Sequence, residues 1–163
     1  MVQMEKIVTT LKVPYEKGAL AIRTSALGDL NNLREWKNAH KEYFFHKLEI
    51  TPAQQEEWFS GYLLRADDYL FIVEFDGMPI GCMGIRFKGN NWDIYNVILG
   101  KTEFGGHGLM GRSYQVMLQF AKSQISYPIS LQVLKNNPAI WWYEKNGFEV
   151  AQDLGDHLFM LHS

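Results

Sequence analysis

Cysteine is almost absent: Cys82 is the only one in 163 residues. That excludes a disulfide framework and a cysteine-built metal centre, and it fits a reducing compartment. A dominant charge is missing too. Sixteen basic residues stand against eighteen acidic ones, a formal net charge of −2, so the chain lacks the basic face that nucleic-acid binding needs. No apolar run approaches the ~20 residues of a membrane-spanning helix. The opening MVQMEKIVTT has no apolar core of a secretory signal. Repeats, low-complexity tracts and linkers are lacking, and His40, His46, His157 and His162 stand without metal-ligand spacing. The expectation is one soluble cytoplasmic domain over residues 1–163, with no metal, nucleic-acid or membrane partner, leaving monomer and homodimer open.

Apolar residues are plentiful, at 47%, and 14% are aromatic, so a packed core is expected. After a polar surface loop from Lys12 to Gly18, Ala19 to Thr24 alternates as a strand. Asp29 is placed to cap a helix with Leu30, Leu33, Trp36 and Lys37 on one face, running to about Lys41. An aromatic connection, Tyr43-Phe44-Phe45-His46, follows. Thr51 as N-cap and Pro52 at the first position open a second helix, with Gln55 near the capping-box position and Trp58, Phe59, Tyr62 and Leu63 as its apolar face. Tyr69 to Phe75 and Met78 to Lys88 are strands around an Asp76-Gly77 hairpin turn. Gly81 and Gly84 inside the second predict a bulge or a close backbone approach. A turn at Gly89-Asn90-Asn91 leads on, and His157 to His162 is a last strand. This order gives a mixed α/β (α+β) sandwich rather than a doubly wound sheet.

The stretch from Trp92 to Phe148 organises the rest. Trp92 to Leu99 is a strand apolar enough to be buried on both faces. Gly105, Gly106, His107, Gly108, Leu109, Met110 and Gly111 follow, and then a helix with Met110, Tyr114, Met117, Ala121 and Ile125 on one face. A glycine turn that opens a helix presents unpaired N–H groups and the positive end of the helix dipole, which makes an anion site suited to phosphate. Gly106 to Gly111 also fits the dinucleotide pattern G-x-G-x-x-G, but that fingerprint requires an acidic residue about 20 positions on. No Asp or Glu occurs between Glu103 and Glu144. Ile129 to Leu134 is a short strand. Beyond it Asn136 or Asn137 suits a cap, Pro138 a first turn and Gly147 a helix end.

Asn136, Ala139, Tyr143, Gly147 and Phe148 match N-x-x-A-x-x-x-Y-x-x-x-G-F at every offset. On these residues the sequence resembles the GNAT superfamily of acyl-CoA-dependent N-acetyltransferases. The family's phosphate-loop pattern, Q/R-x-x-G-x-G/A, is met with Gly105 at the Gln/Arg position and Met110 at the last. A shifted alignment puts Glu103 first and Gly106 and Gly108 last. The resemblance implies a GNAT-like fold and acetyl-CoA as co-substrate, with an amine acceptor: a small molecule, an amino sugar or a peptide N-terminus. It implies that the amides from Gly105 to Gly111 hold the pyrophosphate. Ile98, Leu99 and Gly100 would bond the pantetheine arm, one of their N–H groups polarising the thioester, and Asn136 would contact the same arm. Tyr143, beside the cofactor, would protonate the departing thiolate, being an acid near pKa 10. Trp141 and Trp142 read as packing residues.

No general base is selected. Ile94 holds the position where some relatives place Glu. Asp93 points to the opposite face of a regular strand, and nothing singles out Glu74 or His107. A non-catalytic acyl-CoA-binding or interaction domain on the same fold is the alternative, favoured by the absent base and by Met110.

Overall fold

The computed structural model describes Lys6 and residues 8–162. Most of the N-terminal segment read for a signal sequence lies outside the described residues. The chain runs β1 (Thr10–Val13), β2 (Leu20–Thr24), a 3-10 turn, α1 (Leu30–Ala39), a second 3-10 turn (Lys41–Tyr43), α2 (Pro52–Leu64), β3 (Asp68–Phe75), β4 (Met78–Phe87) and β5 (Trp92–Leu99). A third 3-10 turn leads to α3 (Leu109–Gln124), β6 (Ile129–Leu134), α4 (Ile140–Lys145), β7 (Phe148–Asp153) and β8 (His157–His162). The strands form one mixed sheet in the order β1-β2-β3-β4-β5-β6-β8-β7. All neighbours are antiparallel except β5 and β6, which run parallel. No described helix is long and apolar enough to cross a membrane.

Each face of the sheet has its own core. Tyr114, Met117, Leu118 and Ala121 of α3 pack with Phe71, Met83, Trp92 and Leu131 on one side. Leu33 and Trp36 of α1 and Phe59 and Tyr62 of α2 pack with Leu70, Ile72, Cys82 and Ile98 on the other. A fully buried side chain of this kind stabilises the fold by about 1.5–3 kcal/mol, so these two layers hold the helices in place.

Several local expectations are corrected. The supposed loop from Lys12 begins inside a strand: Thr10–Val13 pairs antiparallel with β2. Four residues with one buried side chain, Val13, carry no readable alternation, and pairing with a neighbour makes the strand. Asp29 does not cap α1 with its side chain. It accepts from the Ala26 N–H at 2.7 Å and from Arg23 at 2.7 and 2.9 Å. The helix stops at Ala39 because the chain tightens into the 3-10 turn at Lys41–Tyr43. The capping box of α2 is closed by Gln54, not Gln55: the Gln54 N–H donates to Thr51 Oγ1 at 3.2 Å, and Gln54 Oε1 accepts from the Thr51 N–H at 2.9 Å. Leu63 faces solvent, while Gln55 is buried. Asn137 rather than Asn136 serves the start of α4, its Oδ1 accepting from the Ala139 N–H at 2.9 Å. Trp142 packs 4.9 Å from Tyr114, but Trp141 is 62% exposed.

The two interior glycines of β4 do what their positions predict. A Cβ on Gly84 would lie 2.6 Å from the Tyr95 ring, and one on Gly81 would lie 2.5 Å from the Ile98 carbonyl oxygen. Between them the register of β4 and β5 shifts. Asn96 takes the strained left-handed conformation at φ +49°, as the extra residue of a bulge does. This kink is what turns β5 away from its neighbour.

Candidate functional site

β5 and β6 are paired only from Trp92 to Ile94 and from Ile129 to Leu131. The closed end is pinned. The Trp92 N–H donates to the Pro128 carbonyl at 2.8 Å, and Ser130 Oγ donates to the Trp92 carbonyl at 3.0 Å while accepting from Asn91 Nδ2 at 2.5 Å. Beyond Ile94, toward the bulge at Asn96, the strands diverge, and β6 is held on its far side by β8. The gap opens into a cleft of about 670 Å³ reached from the α1–α2 face, with Ile98, Gln132, Leu134 and Tyr143 among its lining.

On the other face lies the start of α3. Gly106 and Gly108 take φ of +81° and +75°. That left-handed backbone suits glycine, and a Cβ at either would meet no atom within 4 Å. The backbone here is open to an approaching ligand. The first intrahelical bond runs from the Arg112 N–H to the Gly108 carbonyl at 3.0 Å, so the N–H groups of Leu109, Met110 and Gly111 precede it and have no carbonyl within the helix. Met110, where a small residue was expected, turns its sulfur toward β4, 3.2 Å from the Cβ position of Gly81. The cradle therefore stays lined by glycine although Met110 is bulky. His107 is exposed, its carbonyl reached by the Tyr15 hydroxyl at 3.4 Å. Gly105 donates its N–H to the Thr102 carbonyl at 3.0 Å and supplies no side chain for an anion. Arg112, one turn on, stays at the surface on Glu16 at 3.2 Å.

At the strand end the three candidate amides are not equivalent. The Gly100 N–H is donated to the Ile80 carbonyl at 2.8 Å. Bonds alternate in an antiparallel ladder, so the Leu99 N–H, opposite Gly81, is turned to the edge that faces the gap. Ile98 is 5% exposed and sits against Cys82. Gly100 has a steric role as well: a Cβ there would lie 2.1 Å from the Trp36 ring.

Tyr143 comes from α4 and is packed among Tyr114, Trp142 and Phe148. It belongs to the α3-side core yet lines the cleft. Burial pushes its phenol well above the ordinary tyrosine range, so it keeps its proton at any working pH. Asn136 lies at the surface and donates from Nδ2 to the Glu42 carbonyl at 3.1 Å, tying the β6–α4 turn to the α1–α2 connection.

The structure also gathers residues that sequence reasoning did not single out. Lys37, Arg86, Lys88 and Gln132 line the cleft. Lys37 Nζ donates to Asn96 Oδ1 at 2.8 Å and lies 5.1 Å from the Phe44 ring, and burial lowers its pKa. Asp93, on the α1–α2 face as strand alternation requires, accepts from Arg86 at 3.0 Å and lies 3.5 Å from Lys88. Glu74, considered as a base, is held by Arg23 at 3.0 Å beside β2 and is absent from the cleft lining. Among the described residues no group of three His, Cys, Asp or Glu side chains is arranged to hold a metal ion.

The same architecture occurs in solved acetyltransferases. Spermidine N-acetyltransferase from Vibrio cholerae, in complex with CoA and spermine, superposes with a TM-score of 0.76 at 21% identity, covering 87% of this chain and 94% of that one. PaiA N-acetyltransferase from Thermoplasma acidophilum, in complex with coenzyme A, gives 0.70 at 19%, over 88% and 98% of the two chains. The ribosomal L7/L12 α-N-protein acetyltransferase RimL, in complex with coenzyme A, gives 0.72 at 14%, over 93% and 96%. These identities speak for the fold alone. A search of curated protein sequences gives no match. The profile of the acetyltransferase (GNAT) family matches residues 31–148, from α1 through the glycine turn to the start of β7, and on that match the chain belongs to the GNAT family.

Proposed function

We propose that the protein transfers an acetyl group from acetyl-CoA to a primary amine by direct attack of the amine on the thioester. The observation that carries this is the divergence of β5 from β6. It opens a mixed polar and apolar cleft, lined by Tyr143, on the α1–α2 face of the sheet, and the α3 anion cradle lies on the opposite face. The residues present fit a pyrophosphate-bearing thioester. The amides of Leu109, Met110 and Gly111 and the open backbone at Gly106 and Gly108 would hold the phosphates. The inward N–H of Leu99 would bond the pantetheine arm or the thioester oxygen. Acetyl-CoA supplies an activated acyl group.

The chain's residues do the rest. The cleft admits the amine from the α1–α2 face. A backbone N–H aimed at the carbonyl oxygen stabilises charge as it develops there. As the new C–N bond forms and the C–S bond breaks, Tyr143 gives its proton to the departing sulfur, and the amine gives up a proton of its own to solvent in the cleft. The phenol's place in a buried aromatic cluster fixes its direction.

The test combines binding and turnover. Acetyl-CoA at 100 times its dissociation constant is expected to stabilise the fold by about 2.7 kcal/mol, a rise that thermal shift detects, while NAD does nothing. Free thiol should then appear when a library of amines is offered. A melting temperature unmoved by acetyl-CoA refutes the reading. Tight acetyl-CoA binding with no amine consumed assigns the chain to acyl-CoA binding without catalysis.

A further inference from the structure

The α1–α2 side of the cleft is unevenly charged. Three cations line it, Lys37, Arg86 and Lys88, against one carboxylate, Asp93. Asp93 is already shared: it takes the Nε–H of Arg86 and lies 3.5 Å from Lys88. Arg86 stacks its guanidinium 4.3 Å from the Tyr95 ring. With Nε committed to Asp93, its two terminal nitrogens are left as a fork, the geometry that grips a carboxylate or phosphate with two parallel bonds. Lys37 is half-buried, and its one hydrogen-bond partner among the described residues is the neutral amide of Asn96. No carboxylate lies within ion-pair distance of it among the described residues. A desolvated ammonium without a counter-ion is unfavourable unless an anion completes it.

These cations are separate from the cofactor cradle. Lys37 stands on α1, which packs on the Cys82–Ile98 face of the sheet, whereas α3 packs on the opposite face. CoA phosphates held at the start of α3 therefore leave Lys37 and Arg86 unused. Asp68, outside the cleft lining, is engaged by Arg65 at 2.8 Å and by the Tyr95 hydroxyl.

Resting on the acetyltransferase reading, we infer that the acceptor is an amine whose other end is an anion, a carboxylate or a phosphate, which docks between Lys37 and the outer nitrogens of Arg86. A polyamine finds no unpaired carboxylate here and meets three cations instead. The aromatic wall of Tyr43, Phe44 and Trp58 would cover the body of such an acceptor.

The experiment uses matched amines: 4-(aminomethyl)benzoate against benzylamine, O-phosphoethanolamine against ethanolamine, glucosamine 6-phosphate against glucosamine, with spermidine as the cationic probe. The anionic member of at least one pair is expected to show a kcat/KM at least tenfold above its neutral partner, and which pair responds distinguishes carboxylate from phosphate. Lys37→Gln should raise KM for that acceptor tenfold or more, leave its kcat within about threefold, and leave the neutral partner unaffected. Arg86→Lys, which keeps the charge but loses the fork, should do the same more weakly. Acetyl-CoA-induced thermal stabilisation equal to wild type verifies that each variant is folded. A preference for spermidine or for the neutral amines throughout overturns the inference, as does an equal effect of Lys37→Gln on both members of a pair. If no amine is turned over, the acetyl-transfer reading fails by itself. The anion site is then decided by calorimetry with the same anionic amines on CoA-loaded protein: binding lost in Lys37→Gln upholds it, and no binding overturns it.

Discussion

Tyr143 combines two environments that a single residue rarely shares. Its ring is gripped by Tyr114, Trp142 and Phe148, while its side chain also lines the cleft. No hydrogen bond to its hydroxyl occurs among the described residues, so Tyr143→Phe removes a proton donor without orphaning a partner. Stability and acetyl-CoA affinity should hold, while turnover falls by roughly 10²–10⁴, the span of a lost general acid. The loss should enter kcat and kcat/KM together. Steady-state kinetics on a confirmed acceptor checks this, and unchanged turnover in the Phe variant takes Tyr143 out of the mechanism. Because burial raises the phenol's pKa, its ionisation should impose no alkaline limb on the rate below about pH 10, the ordinary tyrosine value. This residue was legible in the sequence only as part of a spaced pattern. Lys37 and Arg86 were not legible at all. They lie on α1 and β4, and only the sheet register, which sets Arg86 opposite Asp93, and the bulge that lifts Asn96 toward Lys37 bring them together.

At the scale of elements, the glycine turn and α3 act as one unit. The left-handed backbone at Gly106 and Gly108 ends in a helix whose first amides have no internal partner, and the dipole of its sixteen residues adds positive potential there. A carboxylate placed in the cradle would compete with and repel phosphate at short range. Gly108→Asp should therefore weaken acetyl-CoA binding by tenfold or more by calorimetry. The φ of +75° adds backbone strain, for which Asp is one of the more tolerant residues, so the apo protein should still fold, with a melting temperature lowered by a few degrees. Equal affinity in the two proteins would make the turn purely structural. The elements from β3 to β6, and β8, were readable because hairpin turns, glycines and apolar runs mark their ends within a residue or two, whereas the mostly exposed β7 carries no such mark. What the sequence hid was their relation: β6 pairs with β8 and not with β7, and β5 leaves β6 after three residues. Strand composition by itself carries no signal for which neighbour a strand pairs with. Even the bulge was visible only from β4, through Gly81 and Gly84, and not from β5, where Asn96 sits.

Across the whole molecule, charge burial shapes stability as well as recognition. Lys6 donates to the Asp68 carbonyl and lies 3.5 Å from the centre of the Tyr62 ring. Burial lowers its pKa from 10.5 to about 8, opposed by Asp68 and Asp67 and reinforced by Arg65. Lys37 is lowered in the same sense, first by burial. For such groups the folded protein gives up its proton before the unfolded chain does. Between pH 8 and 10.5, the folded and ordinary values for Lys6, the unfolded state binds more protons, so unfolding free energy rises with pH. Tyr62, Tyr69 and Tyr95 act in the opposite direction. Burial raises each above the ordinary value of 10, so above that pH the folded state is the one that retains protons and stability falls. Urea midpoints should therefore climb from pH 8 toward pH 10 and then turn over. Lys6→Met keeps a long apolar side chain against Tyr62 and removes the titrating group. It should flatten the climb, leaving the part that belongs to Lys37, and Lys37→Gln should remove that remainder. A climb of equal steepness in wild type and in Lys6→Met would show that Lys6 is solvated like a surface lysine. The Lys37 share has a functional counterpart: an anionic amine bound beside Lys37 restores the partner its ammonium lacks, so a saturating anionic acceptor should lessen the Lys37 contribution to the pH climb while leaving that of Lys6 in place.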